Sequence, residues 1–170
     1  MGAVLGPPPS GMGEVIAMPN LRRRDDEDGF SLIELMVVVL IIGVLIAVAL
    51  PVFLGARTRA QDRAVQSELR TGLAAGLTYF AAASQPDWSG FDDVVAESTE
   101  PNLTWIDGGD PAPGEISIQV HAGWELLLVG ESGSGTHFCV AQIKTNPATL
   151  RGHGATFADV DTVAECRNGW

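Results

Sequence analysis

Few residues in this sequence have types and spacing that could do chemistry, and the sharpest set is Gly29, Phe30 and Glu34. An apolar run starts abruptly at Phe30 and continues to Leu54, with Glu34 as its one ionisable side chain. A carboxylate near mid-membrane costs about 3 kcal/mol, so an acid in such a run usually marks a function or a partner. Counted from Phe30, Glu34 is the fifth residue. Hydrolysis of the Gly29–Phe30 bond would release a new α-amine, which a reference pKa of about 8 keeps mostly cationic at neutral pH. Amine and carboxylate would then stand at i and i+4 of one helix, or pair between neighbouring helices staggered along an axis. The simpler alternative is a single-pass anchor whose acid stays wet at the interface.

The other candidates are weaker. Cys139 and Cys166 are the only cysteines. Outside the cytoplasm a bridge between them would close a loop of about 28 residues, contributing roughly 3 to 4 kcal/mol in the chain-entropy model; two separate buried thiols are the alternative. His121, His137 and His153 have no metal-ligand spacing. Asp107-Gly108-Gly109-Asp110 lacks the further oxygen ligands of a calcium loop and reads as a turn. Ser132-Gly133-Ser134-Gly135 has neither the strand-to-helix context nor the basic partner of a nucleophile or phosphate site. Asn102-Leu103-Thr104 fits a glycosylation acceptor. No catalytic constellation, metal site or cofactor site is expected, and the chain is not expected to be an enzyme.

The element that positions Glu34 is the apolar run. As a helix, its 25 residues would span about 37 Å, against a hydrocarbon core of about 30 Å. Its aliphatic side chains contribute roughly 0.3 to 0.6 kcal/mol each, so insertion stays favourable despite the acid.

Gly29-Phe30-Ser31-Leu32-Ile33-Glu34-Leu35 resembles the class III signal of type IV pilins and type II secretion pseudopilins. In that family a membrane peptidase cuts after the glycine and methylates the new N-terminal Phe. The resemblance extends to Gly43 and Pro51, the fourteenth and twenty-second residues of the implied mature chain, where the family often carries helix-softening residues. It covers roughly Gly29 to Phe80. It implies a pilin fold: α+β, a long N-terminal helix packed on a small antiparallel sheet of three to four strands. It also implies that a C-terminal disulfide loop is common among pilins, whereas major secretion pseudopilins often lack one and bind calcium there.

Residues 1–29 are expected to be a cleaved leader. They contain Pro7-Pro8-Pro9, Arg22-Arg23-Arg24 and then Asp25-Asp26-Glu27-Asp28, with no apolar periodicity and no conventional secretory cleavage site. Family leaders are usually short and basic; this one is long, with an acidic end. Residues 30–54 form the transmembrane and assembly helix. Residues 55–84 continue as an amphipathic helix, because Val65, Leu69, Leu73, Leu77 and Phe80 recur at four- and three-residue spacing. Pro51 removes a backbone donor and crowds the previous turn, predicting a bend or local melting over 47–51. Gly72 and Gly76 would let a sheet approach closely. The helix is expected to stop near Ser84, before Pro86.

Residues 85–114 read as a connecting loop with a short helical turn around Phe91 to Ala96, pinned by Trp88 and Trp105. Strands are predicted at Glu115–His121, Trp124–Gly130 and Thr136–Lys144, with a hairpin at Ala122-Gly123 and a fourth edge strand at Ala155–Val160. Asn146-Pro147 and Gly152-His153-Gly154 read as punctuation. Residues 115–170 thus form the sheet and a disulfide-bounded tail.

The formal net charge of the chain is −11, of which residues 1–29 hold −2, with three Arg against five acids. An acidic ectodomain is a poor match for phosphate backbones, so nucleic acid is not expected as a partner. The resemblance implies a structural subunit held in the cytoplasmic membrane with its C-terminal domain outside, then polymerised into a filament. Its partners would be other copies, related pilins, prepilin peptidase, the inner-membrane assembly platform and, before assembly, lipid. A secretion pseudopilin, a minor pilin for adhesion or DNA uptake, and a membrane-tethered binding module that never polymerises are the alternatives.

Overall fold

The computed structural model describes Gly2, residues 29–82 and residues 86–170. Apart from Gly2 and Gly29, the leader lies outside them, as does the expected helix stop at Ser84. The chain divides into two compact units, Met1–Ile42 and Gly43–Trp170, and helix α1 (Leu32–Ala82) contributes to both.

The helix α1 is continuous through Pro51, so the melting expected over 47–51 is corrected. A single proline removes one rung and the flanking turns keep theirs. Every residue from Phe30 to Leu54 is exposed, which leaves a whole apolar surface without protein cover. The second half is one-sided: Val65, Leu69, Gly72, Leu73, Ala75 and Gly76 are buried. Leu77 departs from the expected stripe and is 41% exposed. At 3.6 residues per turn, twelve residues beyond Val65 bring the side chain about 120° away from it, so Gly76 takes the inward place.

That place requires a glycine. A Cβ on Gly76 would stand 2.5 Å from Leu126 Cδ2, and one on Gly72 2.9 Å from Trp105 Cη2. The indole Nε1 of Trp88 donates to the Gly76 carbonyl at 3.1 Å, binding the connector to the same spot. Gly76→Val should destabilise the domain by about 1–3 kcal/mol through overpacking, read as a lowered thermal midpoint of the full chain in detergent. An unchanged midpoint would show that helix and sheet are not in close contact.

The sheet has five strands in the order β1-β2-β3-β4-β5: β1 Thr104–Asp107, β2 Glu115–His121, β3 Glu125–Glu131, β4 His137–Ile143 and β5 Asn146–Gly154. Its pairs are antiparallel except β1 with β2, which is parallel. The α+β class and the three central strands match the expectation, and so does the Ala122-Gly123 hairpin, whose two residues take φ of 51° and 73°. Strand number is corrected from three or four to five. The 85–114 segment is not plain loop, because it contains β1 and helix α2 (Asp93–Thr99), capped by the Asp92 carboxylate accepting from Val95 N–H at 2.9 Å. The edge strand is β5 rather than 155–160, where a 3-10 turn stands at Phe157–Asp159. A strand carrying Pro147 is tolerated at the edge, where ladder hydrogen bonds are made on one side only.

Both faces of the sheet are covered. Ile116, Ile118, Leu126, Leu128, Phe138 and Val140 form a core with α1, Trp88, Phe91 and Trp105. On the other face Leu127, Val129, Cys139 and Ala141 pack on Val160, Val163 and Cys166. Hence β3 and β4 are buried almost throughout rather than at alternate positions.

Candidate functional site

The segment Gly29 to Glu34 begins with three non-helical residues, and the helix opens on the Ser31 carbonyl, which accepts from Glu34 N–H at 3.0 Å and Leu35 N–H at 3.1 Å. Glu34 therefore sits in the first turn of α1, where unpaired backbone N–H groups favour a negative charge. Phe30 is 80% exposed. A Cβ on Gly29 would meet nothing within 4 Å among the described residues, and the same holds at Gly43. Internal packing thus gives no reason for a glycine at either place.

The second feature is the disulfide. Cys139 in β4 and Cys166 are bonded, with Cα atoms 5.9 Å apart and a sequence separation of 27. Gly152 of β5 passes against the bridge: its Cβ would stand 2.9 Å from Cys166 Cα and 3.0 Å from Cys139 Sγ. Read from sequence as a turn, Gly152 is a clearance residue; its spacing from the cysteines carries no local signal of that. Beyond the bridge the last residues hem β5. Asn168 accepts from His153 N–H at 2.8 Å and donates to His153 C=O at 2.7 Å, as a neighbouring strand would. Trp170 Nε1 donates to Cys139 C=O at 2.9 Å, with the Arg70 and Arg151 guanidinium groups 4.9 and 5.3 Å from its ring centroid.

Most of the remaining candidates have partners within the chain. Gly108 and Gly109 take φ of 73° and 79° in a turn, and Asp110 Oδ1 lies 2.9 Å from His137 Nε2. Ser132 and Ser134 donate their hydroxyls to Asp62 Oδ1 on α1 at 2.7 and 2.6 Å, which fastens the β3–β4 turn to the helix. His153 Nδ1 lies 2.8 Å from the Gly169 carbonyl, and His121 is exposed. Asn102 is exposed beside β1, and its amide donates to Glu100 at 3.1 Å. The Thr156 backbone N–H, then its hydroxyl, holds the Asp159 carboxyl below its ordinary value and closes the 3-10 turn. Burial first, and Glu165 second, push Asp161 up. Among the described residues no group of three His, Cys, Asp or Glu is placed to hold a metal.

Sequence reasoning did not single out the tail clasp of Asn168 and Trp170. Its partners lie in strands far away in the chain, and only the closed sheet brings them together.

Residues 24–50 match a protein family described as the prokaryotic N-terminal methylation motif. No curated protein and no solved structure matches the chain.

Proposed function

We propose, from the premise that this chain carries the prepilin signal of type IV pilins and pseudopilins, that it is a structural pilin subunit. Cleavage at Gly29–Phe30 frees the Phe30 amine for methylation, and the subunits polymerise through α1. The observation that carries this reading is the combination of a matched methylation motif with an apolar helix surface, Phe30 to Leu54, that the described chain leaves exposed. Lipid covers that surface in the precursor. In a filament, neighbouring copies replace the lipid contacts at little cost, because one apolar packing is exchanged for another. Glu34 then pairs with the Phe30 amine of a neighbouring copy and sets the axial step, while Gly43 and Pro51 soften the helix for close packing. Prepilin peptidase, the inner-membrane assembly platform and related pilins are the partners of this route. The subunit starts single-pass in the cytoplasmic membrane with its sheet domain outside, and ends in an extracellular or periplasmic fibre.

The Cys139–Cys166 bridge favours a pilus subunit over a secretion pseudopilin, since resembled pilins commonly carry such a loop and major pseudopilins often do not. Intact-mass and N-terminal peptide mass spectrometry of the native protein, paired with micrographs of sheared surface material, tests the reading. The expected result is a chain beginning with N-methylated Phe30 and present in fibres. A surface chain still beginning upstream of Gly29, and never in fibres, would instead support a membrane-tethered binding module.

A further inference from the structure

We propose that the helix segment just past the apolar run, with Arg59 and Arg63 on one face and Arg57 on its flank, docks on the acidic domain surface of a second copy of this chain. This rests on the filament reading and adds to it a second contact outside the apolar helix. The charge of the chain is segregated: residues 86–131 hold ten Asp and Glu and no Lys or Arg, whereas 132–170 hold three of each sign. The three Arg follow the apolar run directly and all are exposed. Among the described residues the ion pair within 4.0 Å is His137 with Asp110, and none of these Arg makes one. Their acidic neighbour Asp62 does not neutralise them, because its Oδ1 is turned to the hydroxyls of Ser132 and Ser134.

Arg59 and Arg63 also stand at i and i+4, where like charges repel across one helical turn. A face that is self-repelling, exposed and unpaired fits a partner of the opposite sign. Residues 86–131 of another copy supply that sign in excess, and their own repulsion falls when the cations arrive. Bulk solvent screens such charges over about 8 Å at physiological salt, so the contact acts at close range inside an assembly. Anionic lipid headgroups are the competing partner for a basic segment beside a membrane.

The test uses cells making the full chain, with filaments sheared and sedimented and the membrane fraction measured in parallel. R57E/R59E/R63E should lower filament yield about ten-fold or more while membrane level and N-terminal processing stay unchanged, because like charges then face each other between copies. Adding Glu97→Arg and Asp107→Arg, both exposed, should restore at least half of the yield. Wild-type yield from the triple variant would overturn the proposal. Unrestored yield in the swapped chain would overturn the acidic domain as the partner. Loss of the triple variant from the membrane would assign the Arg face to lipid instead. Unmodified chains that make no filaments at all would overturn the parent reading as well, a result distinct from each of these.

Discussion

Glu34→Val should leave the chain in the membrane and lower filament yield about ten-fold or more, since each 1.4 kcal/mol is a factor of ten. The two halves of this result come from one energetic contrast. Removing the carboxylate makes insertion easier, by at most about 3 kcal/mol, so loss of filaments cannot be charged to failed anchoring. On the filament reading, the same change would leave the Phe30 amine of a packed copy without its counter-charge among apolar side chains. Breaking one side of a buried ion pair costs about 3–5 kcal/mol, because the remaining charge is desolvated and unanswered. Glu34→Gln should fall between the two, keeping a hydrogen-bond acceptor but no charge. The measurement is sedimented filament against membrane-fraction protein, with the processed N-terminus verified in each. Wild-type filament yield from the Val variant would remove Glu34 from the assembly mechanism.

Breaking the Cys139–Cys166 bridge should produce the largest change in the stability of the sheet domain. For a crosslink spanning 27 positions the chain-entropy contribution is about 3–4 kcal/mol, a large share of a total that is typically about 5–15 kcal/mol. In a small domain this corresponds to a thermal midpoint lower by about 12 °C or more. The effect is local before it is global. Cys166 anchors the segment that covers Leu127, Val129 and Ala141, and it precedes the Asn168 and Trp170 contacts to β5 and β4. Cys139→Ala/Cys166→Ala is the informative variant, because both positions are fully buried and a serine hydroxyl there would need a partner. Thermal melts of the full chain in detergent, with and without reductant, give the comparison. A midpoint moving by less than about 3 °C would show that the tail is held by its side-chain contacts alone.

Much of the architecture is legible because its signals are local. Twenty-five apolar residues from Phe30 to Leu54 announce a membrane-length helix by composition alone. Ile116, Ile118 and Val120 announce β2 by alternation, and Ala122-Gly123 announces the hairpin that leads into β3. The cysteine pair was legible by number, since two thiols admit one bridge. Two strands were not legible. β1 has four residues and takes its identity from lying parallel to β2, a pairing set by the loop between them rather than by its own pattern. β5 contains Asn146-Pro147 and Gly152-His153-Gly154, residues that elsewhere stop strands.

By itself, then, the sequence determined the membrane-length helix, the Gly29–Phe30–Glu34 constellation, the central meander and the two sulfur atoms available for a bridge. The tertiary structure alone decided that the glycine at 152 is a clearance, that Leu77 turns outward, and that the tail hems the β5 edge. The reason is range: helix and hairpin signals are written within a few residues, whereas a clearance or an edge exists only when segments distant in the chain have come into contact.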